Sequence, residues 1–334
     1  MMRPRPVAAS IDDLVAGAST RVPMAVDDSK SGARFERLVI DDEPFVLKHV
    51  DHRDDWIMRQ TGDVGCVPVR VWESGVLDLL PDCIDHATVG AAREEGHGAV
   101  LMRDVGRWLI PAGDAPIDEE QHLRFLDHLA TVHATCWGWH DDVGLVPVSN
   151  RYSFFGPDAL DAEAALGFPQ PVPRIAAEGW QRLDDASPEL AAALRPLRRA
   201  PWALFDALAE TPRTLLHGDT KFSNLGTRPD GRTVCVDWSL TGAGPPLTEI
   251  AHSLALNRAR LPHGFEKDAT VDAYRAALER HAVDTAPWFE RQWSLCLLGV
   301  MLQLAWEKAF DETGRELAWW RDHTLDTARE LVRA

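Results

Sequence analysis

The stretch TLLHGDTKFSNLG, residues 214–226, sets an acid, a lysine and an amide within six positions, where a plain turn needs only one of them. TLLH has the apolar character of a buried strand, Gly218 lets the backbone turn sharply, and Asp219 projects from that turn. Asn224 follows five residues later, and LGT and TVCVDW then form two short strands joined by the turn RPDGR. The second strand ends on Asp237, so folding the hairpin back sets that carboxylate beside the Asn224 amide oxygen. Two hard oxygen donors facing one space suit Mg2+, which leaves its other positions to phosphate oxygens and water. Asp219 is not needed for that coordination and is free to accept or orient the proton of an attacking hydroxyl. Base, amide and metal carboxylate are the parts that phosphoryl transfer requires.

Two larger units must hold these groups. At 334 residues the chain exceeds one small core. The first hundred residues read as β-rich: TRVPMAV, RFERLVI and PFVLKHV are short apolar or alternating runs broken by turn-rich DDSKSGA and DDEP. HRDDWIMRQTGD reads as a helix, VPVRVWESG and GAVLMRDV as strands. From about residue 117 the period changes, and DEEQHLRFLDHLATVHATCWGW and PELAAALRPLRRAPWALFDALAE keep apolar residues on one helical face. Between them, FGPDALDAEAALGFPQPVPRIAAEG is punctuated by Pro and Gly and is expected to cap the surface. The expectation is an α+β fold with a small β-rich unit over residues 1–103, a short connection near 103–106, and a larger mostly helical unit over 104–334.

Composition narrows the partners. A net charge of −17 disfavours nucleic acid, whose phosphates need a basic surface, and would suit a cationic small molecule. Five cysteines without a CxxC pair point to reduced thiols in a cytoplasm. The N-terminus lacks the apolar run of a secretory signal, and WSLCLLGVMLQLAWEKAF, interrupted by Gln303 and closed by charges, reads as a buried helix rather than a membrane span. His133, Cys136 and His140 share one helical face, but no fourth zinc ligand is evident. Most of the tryptophans, including Trp288, Trp293 and Trp306 near helical spacing, read as core.

HGDTKFSN, VDWS and GPPLTEIAH together resemble the aminoglycoside phosphotransferase family of the protein-kinase-like fold, in order over roughly residues 20–330. The resemblance implies two lobes, ATP and Mg2+ as cofactors, Asp219 as catalytic base, Asn224 and Asp237 as metal ligands, and His217 and Glu249 as architecture. Glu249 stands where the family mostly has Asp. D-x-K-x-x-N also resembles the loop of serine/threonine kinases, in which the lysine neutralises the transferred group; Lys221 takes that place. Lysine is scarce here, and Lys48 ends an apolar strand where a charge is otherwise unwelcome, so it is assigned to the α- and β-phosphates. Its carboxylate partner is expected to be Asp55, with Asp54 as the alternative. The phosphate loop is placed in DDSKSGARF, through Ser29 and Ser31 hydroxyls or backbone N–H groups around Gly32. Adenine would meet the connector at Met102, Arg103 and Val105.

Family members phosphorylate aminoglycosides, other antibiotics, amino alcohols, sugars and related metabolites, so the expected partner is a small-molecule alcohol. A regulatory nucleotide-binding module of this kind would usually have lost Asp, Asn or Lys, and this chain keeps Lys48, Asp219, Asn224 and Asp237. A protein kinase is disfavoured, because only twelve residues separate Asn224 from Asp237 and no activation segment follows before GPPLTEIAH.

Overall fold

The computed structural model describes residues 2–26 and 30–333. Helix α1 (Ile11–Leu14) leads into strands β1 (Ala18–Met24), β2 (Arg34–Ile40) and β3 (Glu43–Asp51), then helices α2 (Trp56–Thr61) and α3 (Val67–Ser74). Strands β4 (Ile84–Asp85), β5 (Thr88–Glu94) and β6 (His97–Arg103) follow. The main sheet has the antiparallel order β1-β2-β3-β6-β5, which makes β3 central. Its residues 46–50 are all buried, and alternation divides them: Leu47 joins Leu38, Ala92, Ala99 and Leu101 on one face. Val46, Lys48 and Val50 take the opposite face, where Val50 meets Met58, Cys66 and Val69 of the following helices. The strand period therefore turns the Lys48 side chain toward the rest of the molecule.

The expected helix near residue 56 forms, but is shorter than HRDDWIMRQTGD: Asp55 caps its first turn and Gly62, in the left-handed region, ends it. VPVRVWESG is a helix, not the expected strand. Pro68 sits in its first turn, Asp63 Oδ2 accepts from Val67 N at 2.7 Å, and Gly75 closes it in the left-handed conformation. Five alternating residues are fewer than two helical turns. Val69 packs beneath the sheet with Val50 and Ala91, while Val67 and Val71 turn into the main core, and burial on both sides decides the conformation.

The remainder is mostly helical: α4 (Glu119–Thr135), α5 (Val148–Tyr152), α6 (Pro157–Ala165), α7 (Pro171–Ala186), α8 (Pro188–Arg199) and α9 (Trp202–Ala209), then α10 (Leu247–Leu256), α11 (Lys267–Arg280), α12 (Phe289–Lys308) and α13 (Arg315–Arg333). The Pro/Gly-punctuated stretch supplies α6 and α7 and does more than cap the surface. Gly179 of α7 lets the α12 backbone approach at Trp306, and Trp180 and Leu183 enter the core. Helix α12 is buried on nearly every side, with α7, α10 and α13 packed on it. Among the described residues, no helix is long and apolar enough to cross a membrane.

Between α9 and α10 run β7 (Thr214–Leu216), β8 (Leu225–Thr227), β9 (Thr233–Cys235) and β10 (Gly242–Gly244). The hairpin β8–β9 forms as the RPDGR turn requires, with Gly231 at φ 86°. β10 pairs back onto β7, and β4 adds a parallel strand to β9. The loop 217–224 is thereby held from both sides.

Candidate active site

Gly218 adopts φ 93°, and a Cβ on it would collide with the Leu240 carbonyl, so only glycine makes this turn. Its N–H donates to Glu249 Oε1 at 2.6 Å; the other carboxylate oxygen lies 2.9 Å from His133 Nε2. His133 Nδ1 in turn lies 2.5 Å from the Tyr274 hydroxyl. Burial alone would push the Glu249 carboxyl up, but the hydrogen bond and charge of His133, then His217, hold it below the ordinary range. His133 is committed to this brace and Cys136 Sγ to the Leu79 carbonyl; the helix ends at Thr135, so His140 does not continue the helical face expected from sequence. Among the described residues, no group of three His, Cys, Asp or Glu side chains is placed to hold a metal.

His217 Nδ1 accepts from Asp219 N at 3.1 Å and its Nε2 lies 3.0 Å from the Val236 carbonyl, which places the ring proton on Nε2. The histidine thus ties the turn to the strand end before Asp237. Asn224 Nδ2 donates to the Asp219 carbonyl at 3.0 Å and to Asp219 Oδ2 at 2.9 Å. Asn257 supports the loop from α10's end, its Oδ1 accepting from Phe222 N at 2.8 Å and its Nδ2 donating to Thr220 O at 3.2 Å.

Across from this loop, Lys48 Nζ donates to Asp237 Oδ1 at 2.6 Å and to Ser239 Oγ at 3.0 Å, and Ser239 Oγ donates to the same carboxylate oxygen at 2.6 Å. Asp237 sits at φ 65°, a strained position for a non-glycine residue, and these bonds hold it there. Burial would raise its carboxyl; the charge and hydrogen bond of Lys48, the Ser239 hydroxyl and then the charge of Lys221 reverse this and hold it well below the usual range. Half-buried Lys221 precedes the turn Phe222–Asn224. The donor chemistry fits Mg2+: the Asn224 nitrogen is already engaged, which leaves its oxygen as the ligand atom, and Asp237 is ionised. One carboxylate and one amide cannot fill six positions, so such an ion would share its shell with substrate phosphates and water.

The Lys48–Asp55 ion pair expected from sequence is not formed. Asp55 instead caps α2, accepting from Ile57 N at 2.8 Å and Met58 N at 3.2 Å. Its carboxyl is pushed up by burial against the pull of Lys48 and Ser31, so it remains within electrostatic reach of the lysine. Asp54 is not paired with Lys48 either: its N–H donates to Asp51 O at 3.0 Å and its carbonyl accepts from Gln170 Nε2 at 2.6 Å. The loop with Ser31 and Gly32 leans on this same segment: Ser31 O accepts from Trp56 N at 3.1 Å, and Gly32, at φ 109°, has no room for a Cβ beside the Asp54 carbonyl. Ser29 lies outside the described residues.

At the connector, Arg103 N and Asp104 N are used internally, by Ala87 O and Pro44 O, both at 3.0 Å. The Arg103 guanidinium turns to Asp85. Val105 and Met102 pack with Ala87, Val234 and Val236 in an apolar cluster that reaches the residue before Asp237. Sequence reasoning missed Ser239 and Asn257. Ser239 carried a signal, a hydroxyl two residues after the metal-type aspartate in VDWS; Asn257 carried none.

The family model described as phosphotransferase enzyme family matches residues 86–288, more than half of the chain. Among solved structures, the chain is similar to the choline kinase LicA from Streptococcus pneumoniae, with 12% identity over 97% of this chain and 96% of that one and a TM-score of 0.52. A candidate aminoglycoside phosphotransferase from Ralstonia eutropha has 13% identity over 94% of each chain and a TM-score of 0.51. These likenesses carry the fold, which is protein-kinase-like. No curated protein sequence matches significantly.

Proposed function

This chain belongs to the phosphotransferase enzyme family, and from that premise we propose that it moves the γ-phosphoryl group of ATP to a hydroxyl of a small molecule, with Mg2+. The observation that carries the reading is the pairing of Lys48 with Asp237 beside a loop in which Asn224 fixes Asp219. In this reading the 1–103 portion clamps the nucleotide and the 104–334 portion supplies the catalytic loop and the acceptor. Ser31 and Gly32, with Ser29, lie toward the phosphates; Met102, Arg103 and Val105 border the adenine; Asp55 biases Lys48 from behind. Asn224 Oδ1 and Asp237 would hold the ion, which would supply charge neutralisation on the phosphates.

Asp219 accepts the acceptor's hydroxyl proton as its oxygen bonds to the γ-phosphorus. The bond from that phosphorus to the β–γ bridging oxygen breaks, and ADP leaves. Lys48, released in part from Asp237 by the incoming charge, holds the α- and β-phosphates, and Lys221 meets the transferred group. Most of the acceleration then comes from positioning and charge neutralisation. The free thiols of the described cysteines suit a cytoplasmic setting. ADP release in the presence of an acceptor library tests the reading, with Asp219→Asn as the control. ATP consumption no higher than in that control, across all acceptors, would sink it.

A further inference from the structure

Burial alternates along the loop that leaves Gly218. Gly218, Thr220 and Phe222 are buried, while Asp219 and Lys221 between them are half-buried. One side of α10 holds the buried set. Gly218 N donates to Glu249 Oε1 at 2.6 Å, and the Thr220 carbonyl accepts from Ser253 Oγ at 3.4 Å and from Asn257 Nδ2 at 3.2 Å. Phe222 N donates to Asn257 Oδ1 at 2.8 Å. Glu249, Ser253 and Asn257 follow one another at intervals of four residues. Four helical residues rise about 6 Å, close to the roughly 7 Å that two extended residues cover. Three polar groups at this spacing therefore match every second residue of an extended loop. Asp219 and Lys221, the residues between, are left together on the side away from α10.

Asn257, just past the end of α10, sets the finer geometry. Thr220 O belongs to the peptide plane before Lys221 and Phe222 N to the plane after it. One carboxamide thus holds both planes that flank the Lys221 Cα, and those planes define its backbone angles, φ −66° and ψ 145°. The partners also fix which end of the amide is which, since a carbonyl only accepts and a backbone N–H only donates. The clamp is itself anchored. Asn257 is 2% exposed, its Nδ2 also donates to Ser253 Oγ at 2.9 Å, and its own N–H donates to Ser253 O at 2.8 Å. Below the loop, the Phe222 ring packs edge-on against His122.

We propose that Asn257 is a positioning residue of phosphoryl transfer, pinning the Lys221 backbone so that its amine stays in register with the Asp219 carboxylate. This rests on the phosphotransferase reading and adds to it a residue that lies outside every sequence motif. Asn257 acts through Lys221 and not on nucleotide or acceptor. Without the pin, both backbone angles of Lys221 are released, and a displacement of about 1 Å at a reacting group can cost on the order of a hundredfold in rate.

The test is a double-mutant cycle read by ADP release at saturating Mg·ATP, with an acceptor that the wild type consumes. It compares wild type, Asn257→Ala, Lys221→Met and the double variant. Asn257→Ala is expected to lower kcat about tenfold to a hundredfold and to leave the KM for ATP nearly unchanged. In the Lys221→Met background the same change should lower kcat less than about twofold, because the group it positions is gone. The melting temperature should fall equally in both backgrounds. Equal losses of kcat in the two backgrounds, or none in Asn257→Ala, would overturn the proposal and spare the phosphotransferase reading. Should Asn257→Ala fail to fold, Asn257→Ser takes its place in the cycle with the same criteria. In parallel, amide hydrogen exchange across residues 218–224 is followed in the nucleotide-free protein. It should quicken in the Asn257 variant, and unchanged exchange would overturn the pin. Quickened exchange, with no ADP release by wild type from any acceptor, would leave the pin standing and count against phosphoryl transfer.

Discussion

Asp219 is held from three sides: its N–H by His217, and its carbonyl and Oδ2 by Asn224. Asparagine at 219 would keep the backbone bonds and lose the proton acceptor. Asp219→Asn should therefore lower kcat by about 10²–10⁴-fold, the range for a removed general base, with the melting temperature nearly unchanged. An equal fall in both would reassign Asp219 to structure. Lys48 is bound differently, since its present partner is the residue proposed to hold the metal. Lys48→Ala should raise the KM for ATP more than it lowers kcat, and unchanged ATP kinetics would remove Lys48 from the site. At this scale the sequence was most informative where chemistry restricts residue type. A lysine at the end of a buried run and an acid–amide pair after a glycine turn have few structural excuses. Ser239 was less legible, because a serine suits any turn.

Single elements show where periodicity stops being enough. α12 and α4 declared themselves over four or more turns, whereas α3 was misread because VPVRV alternates as a strand does and only the sheet above it breaks the tie. β4, two residues long, has no periodicity at all, yet its Asp85 is nearly inaccessible and receives both Arg103 and Arg228, the latter at 2.6 Å. Burial would raise the Asp85 carboxyl; the two guanidinium groups and the Ala87 N–H outweigh this and hold it at about 2. A carboxyl depressed in the folded state stabilises above its unfolded value near 3.8 and loses that contribution as pH falls toward 2. The fold should accordingly lose about 2 kcal/mol of stability between pH 5 and pH 2 through this group. Asp85→Asn should be less stable at pH 7 and show a shallower acid limb in urea unfolding. An acid limb parallel to wild type would exclude Asp85 as its source. Glu249 braces another junction, α10 against the catalytic turn, and Glu249→Ala should cost about 3–5 kcal/mol because it strips a buried partner from His133 and Gly218. A loss below 1 kcal/mol in urea unfolding would show that brace to be dispensable.

Across the whole molecule, what must be kept is the distance between the sheet that carries Lys48 and the helices that carry the loop. In the proposed mechanism the Lys48–Asp237 contact loosens for a nucleotide, so another contact would have to hold the two parts in register. Arg59 of α2 and Glu163 of α6 join the two parts by two parallel bonds, Nε to Oε1 at 2.7 Å and Nη2 to Oε2 at 2.8 Å, and the glutamate is buried. Neither residue belongs to a motif, and 104 positions separate them, so no reading of local sequence could have paired them. Arg59→Met leaves the Glu163 charge buried without its partner and should cost about 3–5 kcal/mol in urea unfolding. Replacing both, as Arg59→Met/Glu163→Met, removes the charge together with its partner, and should recover most of that loss. If the pair also sets the register, the recovered double variant will bind ATP more weakly than wild type, because α2 begins at Asp55, the segment on which the Ser31–Gly32 loop rests. Recovered stability with unchanged ATP affinity would make the pair an ordinary packing contact. A double variant no more stable than Arg59→Met would mean that the charge, and not only its isolation, is what this junction requires.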